Sequence, residues 1–416
     1  MNKPDLILKR YRAERRFKLY GRSAICVALL ALVFLLVTIL QQGLKGFEHT
    51  EIRLTMSVDT SVIGQDAALW KHADMTPFIK RALLARFPVA NERRTLRDLM
   101  GLISSGASLT IRSALISEPA LAQKEFTLWL PASDAVDRAM KSHLSQNSPE
   151  GERKISNRQL DWMDSLRKDQ AIRVSWNPYL FTTGDSREPE QAGFMGSMIG
   201  SFFTLLTCML VAFPVGVMAA IYLEEFSAKG RITEWIEINI NNLAAVPSVV
   251  FGLLGLAVYL NIFAIPRSAS LAGGLTLALM ILPTIIIATR ASLRAIPDSI
   301  RDAARALGAT PLQVVLHHTF PLAIPGIMTG TILGLARAMG ETAPLLMIGM
   351  VAFVADIPRG PFDPATAMPV QIYLWATSPE SSFVEKTASG IIILLLVLIT
   401  MNSLAIFIRK RFEHRW

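Results

Sequence analysis

Two ionisable residues lie inside an apolar stretch that is long enough to cross a membrane. Arg337 and Glu341 are four positions apart, so on a helix they share one face, one turn apart. Charge within a membrane span is costly and usually functional. The planar fork of donors on a guanidinium suits phosphate-like oxyanions, which makes Arg337 a candidate anion contact. Glu341 would then hold Arg337 between cargoes or repel an anion and speed its release. The alternative is a structural ion pair that holds helices together.

A charged connection just before that span has the residues of a helical hairpin. Pro297 suits the first turn of a helix, and Gly308 can take the left-handed conformation that ends it. We expect Ile300, Ala304 and Leu307 to share one face. Small side chains would let another protein approach the backbone closely, although a self-contained hairpin fits these residues equally well. A second short helix is expected to begin at Thr310 and to end before Pro321.

The composition is that of an integral membrane protein with one polar insertion. Of the 416 residues 51% are hydrophobic, and they occur in blocks. The net charge of +9 does not indicate nucleic-acid binding, because the cations flank apolar segments as in the cytoplasmic loops of membrane proteins. Cys26 and Cys208 lie inside apolar segments, so the sequence predicts neither a disulfide framework nor a metal site.

The fold class predicted is an all-α polytopic membrane protein with about six spans and an inserted α+β domain. Five further spans are expected after the first, at 194–223, 237–263, 269–289, 325–354 and 388–408. The predicted regions are a cytoplasmic basic N-terminus (1–22), a first transmembrane anchor (23–40), an extracytoplasmic α+β domain (41–192), a transmembrane domain (193–408) with a cytoplasmic loop (290–324), and a cytoplasmic basic tail (409–416).

The connection 41–192 has dense charge and no segment able to span a membrane. Apolar residues alternate, as in half-buried strands, at 52–58 and 126–130, and helical spacing appears near 76–87, 134–144 and 158–168. Cation-rich connections alternate with the others, which places both termini in the cytoplasm and this domain outside. We therefore expect a multi-pass membrane protein in contact with lipid.

The hairpin resembles the "EAA" loop of permeases from ABC importers. Asp302-Ala303-Ala304, three residues, Gly308 and then Pro321 reproduce its spacing, with Asp302 in place of the usual glutamate. His318 and Phe320 stand where isoleucine and leucine are typical. The resemblance implies that the loop lies in a groove of a cytoplasmic ATPase. The residues to which it assigns ATPase coupling are Asp302, Ala303, Ala304, Leu307, Gly308 and Pro321.

Residues 330–346 strongly resemble phosphate-specific ABC permeases, with further matches at 216–225, 245–252 and 368–373. The segment 368–373 favours the A-type permease over its C-type partner, and a long-form subgroup accounts for the extra domain. The resemblance covers about 193–410 and says little of 41–192. It implies a substrate pathway through Arg337, Glu341 and Thr342. Arg290 matches a family basic position too, although an anchor at a helix end accounts for it more simply.

What the resemblance implies is import of inorganic phosphate, with ATP hydrolysed by a partner and no cofactor bound by this chain. The implied partners are a C-type permease subunit, a cytoplasmic ATPase dimer and a periplasmic phosphate-binding protein. The sequence has no Gly-x-x-x-x-Gly-Lys-Ser/Thr loop and no catalytic motif, so an enzyme role has no support. The alternatives are a permease for another oxyanion (phosphonate, sulfate or molybdate) and a membrane-anchored sensor with an external domain.

Overall fold

The computed structural model describes residues 3–59, 70, 73–88, 92–142, 155–228, 230–351, 353–380 and 382–412. The chain begins with one continuous helix, α1 (Lys3–Gly46), of 44 residues. At 1.5 Å per residue it is roughly 66 Å long, about twice the thickness of the hydrocarbon layer. Its part Arg10–Gly46 is long and apolar enough to cross a membrane. The predicted span 23–40 is therefore the middle of a longer helix.

A small α+β domain follows α1 directly. Its three-stranded antiparallel sheet has the order β2-β1-β3, with β1 at Glu48–Ser57, β2 at Glu125–Pro131 and β3 at Ile172–Trp176. The helices that accompany the sheet are α2 (Thr76–Arg86), α3 (Arg93–Met100), α4 (Ala107–Ser117), α5 (Asp134–Ser142) and α6 (Asn157–Lys168). The α+β prediction is confirmed.

Alternation of apolar side chains places one face of this sheet in the core. Ile52, Leu54 and Met56 are each at most 3% exposed, and Ile52 pairs with Leu130 on β2 and with Ile172 on β3. Since successive strand residues point to opposite faces, the same period leaves the other face of β1 polar.

The remaining helices build the membrane part. A short helix, α7 (Tyr179–Thr182), leads from β3 towards it. The helices that follow are α8 (Met195–Ile221, extended by a π-helical turn Tyr222–Phe226), α9 (Arg231–Ala244), α10 (Ser248–Gly255, with a π-helical turn Leu256–Leu260), α11 (Ser270–Arg294), α12 (Asp298–Ala306), α13 (Pro311–Val314, with a π-helical turn Val315–Thr319), α14 (Phe320–Gly340), α15 (Ala343–Ile348), α16 (Met368–Ala376) and α17 (Phe383–Phe412).

One predicted span is broken. The described residues contain five helices long enough to cross a membrane, and a sixth crossing would be the pair α9 and α10, which is bent by 99°. The segment predicted as a span at 237–263 is therefore two helices joined at a bend. Pro247 lies at the break with φ −57° and ψ 138°, because proline lacks an amide donor and also disfavours helical backbone in the residue before it.

A proline also shortens the span that carries Arg337. Helix α14 ends at Gly340, and Glu341 has the extended backbone of φ −78° and ψ 123°. Were the helix to continue, the ring of Pro344 would clash with the carbonyl of Gly340 and leave it without a donor. The predicted span 325–354 is therefore wrong at its end, and so is the placement of Glu341 on the helix.

The second helix of the hairpin runs on into α14 and does not end before Pro321, which corrects another expectation. Its backbone widens into a π-helical turn, in which the amide of Phe320 bonds to the carbonyl of Val315. In a regular helix the ring of Pro321 would collide with the carbonyl four residues earlier. The wider π-helical turn avoids this collision, so the helix continues through Pro321.

Helices α1 and α17 are held together by close backbone contact. Ser389 Oγ donates to the carbonyl of Gly43 at 2.7 Å. A Cβ on Gly43 would lie 2.9 Å from the carbonyl oxygen of Ala388, whereas a Cβ on Gly21 of the same helix would meet nothing within 4 Å. Glycine at position 43 is therefore what permits this approach.

We predict that Gly43→Ala lowers the thermal unfolding temperature of the purified protein by several degrees, because α1 must move away from the backbone of α17. Gly21→Ala is the matched control, with the same chemistry in open space, and should leave the temperature unchanged or slightly higher. Equal unfolding temperatures for the two variants would contradict the close packing.

Candidate substrate path and coupling hairpin

Helix α14 carries Arg337 inside a segment long and apolar enough to cross a membrane. Arg409, at the basic end of α17, donates from Nη1 to Thr329 Oγ1 at 3.1 Å. Arg337 lies eight residues further along α14, which is about 12 Å at 1.5 Å per residue. An unpaired charge within a membrane span is costly.

The guanidinium of Arg337 is held only weakly. Its Nε lies 3.5 Å from Glu341 Oε1, at the outer limit of a hydrogen bond. The Arg337 side chain is 48% exposed in this single chain and that of Glu341 is 21% exposed. The extended backbone at Glu341 still brings its carboxylate back towards α14, so the predicted pair forms without a shared helix. Thr342 follows, half-buried, and its carbonyl accepts from the amide of Leu346 at 3.0 Å.

Arg290 has a different environment. It is 9% exposed, its Nε lies 3.2 Å from Glu224 Oε2, and its Nη2 donates to Glu237. Arg294 also donates to Glu224, at 2.9 Å. The Arg290 guanidinium is thus engaged by two carboxylates that tie α11 to the end of α8 and to α9, which favours the anchoring role.

The structure does not bring Arg290 and Arg337 together. Helices α11 and α14 run antiparallel, since Gly326 faces Ser292 and Gly330 faces Ala288. Counting from that second contact, the two arginines are separated by nine residues of helix, or roughly 13 Å along the axes. They belong to separate sites.

The hairpin has a buried side and an exposed side. Ala304 is 4% exposed, and Gly308 has the left-handed φ of +87° that only glycine adopts without strain. Leu307, expected on the same face as Ala304, points instead to solvent with 89% exposure, because the helix has already ended at Ala306. The predicted coupling residues that the structure leaves exposed are Asp302, Ala303, Leu307, Gly308 and Pro321.

An ion pair that sequence reasoning did not single out fixes the hairpin to the spans. Arg301 on α12 donates from Nη2 to Glu225 Oε1 at 2.8 Å, and the side chains are 11% and 5% exposed. Arg301 also donates to the carbonyls of Leu293 and Ile296, at the end of α11. The hydrogen bond to Glu225 raises the pKa of Arg301 above its ordinary value. The sequence signal that could have indicated this ion pair is a pair of adjacent acidic residues at the end of an apolar segment, Glu224 and Glu225.

Among the residues that the structure describes, no three His, Cys, Asp or Glu side chains come close enough to hold a metal ion.

Comparison with known proteins divides the chain as the structure does. Residues 212–416 match the family described as "Binding-protein-dependent transport system inner membrane component", and residues 5–150 match "Domain of unknown function (DUF3333)". The phosphate transport system permease protein PstA of Haemophilus influenzae is 31% identical over 236 residues, which are 57% of this chain and 81% of that protein. The PstA of Yersinia pestis is 33% identical over 53% of this chain and 74% of its own length.

Solved structures of ABC importers are related more distantly. The inward-facing MetNI methionine ABC transporter superposes with a TM-score of 0.43 at 18% identity, covering 53% of this chain and 94% of that one. A bacterial ABC transporter for alginate gives 0.40 at 15% identity, covering 53% and 80%.

The long apolar helices and the hairpin between two of them define a multi-pass permease of a binding-protein-dependent transport system. The chain belongs to the PstA family of phosphate transport system permease proteins.

The contrast between the two arginines predicts opposite effects on stability. Arg290→Ala removes the more buried of the two cations that pair with Glu224 and Glu237, and it should lower the free energy of unfolding by about 3 kcal/mol. Arg337→Ala removes a half-exposed, weakly bonded group and should cost less than about 1 kcal/mol. Thermal and chemical unfolding of the purified variants measures both. If Arg337→Ala lowered the free energy of unfolding as much as Arg290→Ala, Arg337 and Glu341 would form a structural ion pair.

Proposed function

We propose that this chain is the permease subunit of an ATP-driven importer of inorganic phosphate in a bacterial inner membrane. Membership in the PstA family supports phosphate over the other oxyanions, and the multi-pass helices fit a transport role better than a sensor. The observation that carries the proposal is Arg337, a half-exposed guanidinium within a candidate membrane span, held by a single long contact.

Arg337 would serve as the intramembrane contact for the phosphate anion. Its donors are not consumed by strong bonds, so an oxyanion can replace Glu341 as their acceptor. Glu341 then balances the charge of Arg337 when no anion is present, which lowers the cost of keeping a cation in the layer. Thr342, next in the chain, would add a hydroxyl to the same path. Arg290 would anchor helices.

The hairpin would receive the movement of the ATPase. Leu307 places a large apolar side chain in solvent beside small exposed neighbours, as a docking surface requires. Arg301 and Glu225 join that hairpin to α8, and the continuous backbone through Pro321 joins it to α14. A displacement of Leu307 would therefore reach both the span that carries Arg337 and the span beside it.

The remaining parts follow from this assignment. ATP would be hydrolysed by a cytoplasmic ATPase dimer, a periplasmic protein would deliver phosphate, and a C-type subunit would complete the path. Both termini would be cytoplasmic and the α+β domain extracytoplasmic, consistent with the basic ends of α1 and α17. This chain would bind no cofactor of its own and would act as a transport subunit, not as an enzyme.

We predict that Arg337→Ala lowers phosphate uptake at least about tenfold, the loss expected for one charge-assisted contact. Uptake of radiolabelled phosphate by cells that lack and regain this chain measures it, with sulfate and molybdate as competitors. Arg337→Lys should keep partial activity, since it retains the charge without the fork. Arg267→Ala, at an exposed loop arginine, is the control. Normal uptake by Arg337→Ala would reject the role, and no phosphate uptake by cells that regain this chain would reject phosphate as the cargo. Inhibition by sulfate or molybdate would reject selectivity for phosphate.

We also predict that Leu307→Asp separates the ATPase from the permease. A charge in the apolar docking site should reduce co-purification of the ATPase subunits about tenfold and abolish uptake, while the fold is retained because this side chain is exposed. Leu307→Met keeps an apolar side chain of similar size and should behave as wild type. Undiminished co-purification with Leu307→Asp would place the docking surface elsewhere.

A further inference from the structure

The α+β domain and the last span enclose a small polar cavity. It has about 10 Å³ of room for the centre of a water molecule, roughly the space that one water needs. Strand β1 contributes His49, helix α5 contributes Asp137 and Lys141, and the segment before α8 contributes Glu190. The end of α17 contributes Glu385 and Lys386. Two regions of separate sequence character thus share one buried site.

Several polar groups face this site without a protein partner. His49, Asn177 and Glu190 are 2%, 0% and 6% exposed, and one atom of each, respectively Nδ1, Nδ2 and Oε2, has no hydrogen-bond partner among the described residues. Ser382, 9% exposed, has a hydroxyl in the same condition. Burying polar groups without hydrogen-bond partners is costly, so this arrangement indicates a small ligand, such as a water molecule or a proton.

The described cations around the cavity are engaged by groups other than Glu190. Asp134 pairs with Arg138 at 3.5 Å, and Lys141 lies 2.6 Å from Asp137 and 3.6 Å from Glu385. The buried Lys386 donates to the carbonyl of Ala192, at 3.4 Å. Lys45 interacts with Glu385, and His49 Nε2 lies 3.2 Å from Glu51 Oε1.

Glu190 is thus the carboxyl group of the cavity with the fewest bonds to support a charge. Its one side-chain partner among the described residues is Ser104, and the neighbouring Glu188 and Asp134 repel a negative charge on it. Glu48, on the rim, is exposed. We propose that Glu190 is a proton-binding site, and that its proton holds the α+β domain against the outer end of the last span.

The direction of the pH dependence follows from burial. Desolvation raises the pKa of Glu190 from 4.5 to about 7 in the docked arrangement, and an undocked Glu190 would have an ordinary pKa. The docked state then binds more protons than the undocked state between these two values. The contribution of Glu190 to docking is full below pH 4.5, weakens as the pH rises towards 7, and is lost above that. Acidification outside the cell would tighten the junction.

The test compares hydrogen exchange of α5, which lines the cavity, with that of α2, which does not, in the full chain purified with its partners in lipid nanodiscs. The ratio of their protection removes the intrinsic effect of pH on exchange. In wild type we expect this ratio to fall roughly tenfold or more between pH 5 and pH 8. Glu190→Gln, which mimics the protonated acid, should abolish the fall.

Glu188→Gln is the matched control. It removes the same charge from a half-buried side chain two residues before Glu190, and it should retain the fall of the protection ratio with pH. A ratio independent of pH in wild type, or equal loss of α5 protection at both pH values in Glu190→Gln, would overturn the proposal. That second result would indicate a permanent ion pair between Glu190 and Lys386.

Infrared spectroscopy of wild type covers the case in which Glu190→Gln does not fold. The carbonyl stretch of a protonated carboxyl group should be present at pH 6 and titrate away by pH 8. Its retention in Glu188→Gln, Asp185→Asn and Glu385→Gln would leave Glu190 as the source, and its absence from wild type at pH 6 would contradict the proposal. Neither measurement depends on phosphate being the cargo.

Discussion

Placing a charge in a medium without water costs free energy. How each arginine of this protein offsets that cost decides whether it has a structural role or is available to bind an anion. Arg290 and Arg301 each satisfy the cost with nearby carboxylates at the ends of helices. Arg337 satisfies it least, with one contact of 3.5 Å and half of its side chain exposed. Since the same residue type occurs in all three places, only the distribution of acceptors separates an anchor from an anion contact.

Proline imposes a second constraint, which also arises from polar groups that lack a partner in a medium without water. A missing amide donor leaves a carbonyl without a partner four residues earlier, and within a membrane no water replaces that partner. The structure resolves each case differently: a bend at Pro247, a helix end before Pro344 and a widened turn before Pro321. The break before Pro344 places Glu341 on extended backbone, which brings a carboxylate to Arg337 from outside the helix.

Much of the fold was predictable because it depends on period and length. The alternation at Ile52, Leu54 and Met56 and the long apolar segments need only local rules. Strand β3 was missed, although Ile172, Val174 and Trp176 alternate in the same way, because the segment is only five residues long. The broken span could not be placed, since Pro214 and Pro283 lie inside continuous helices whereas Pro247 interrupts one. Tertiary neighbours decide between these outcomes.

The sequence predicted the residue types of the candidate site, but it did not predict which residues pair with each other. Arg337 and Glu341 stood out as charge within apolar sequence, whereas the pairing of Arg301 with Glu225 joins residues 76 positions apart and leaves no local pattern. The exposure of Leu307 depends on a helix that ends one residue earlier than its period implied. Long-range pairs of this kind are set by how helices pack, and a single sequence does not encode them in any spacing.

The α+β domain is joined to the permease too closely to be an independent appendage. The backbone of α1 touches α17 at Gly43, the strand β3 leads directly into the segment before α8, and Thr110 of the domain lies 3.0 Å from Tyr179 of that segment. Buried charge is shared between Lys141 of the domain and Glu385 of the last span. A movement of α17 during transport must either carry the domain with it or expose these charges to water. The domain is therefore in a position to change the energy of the transport cycle without touching the anion.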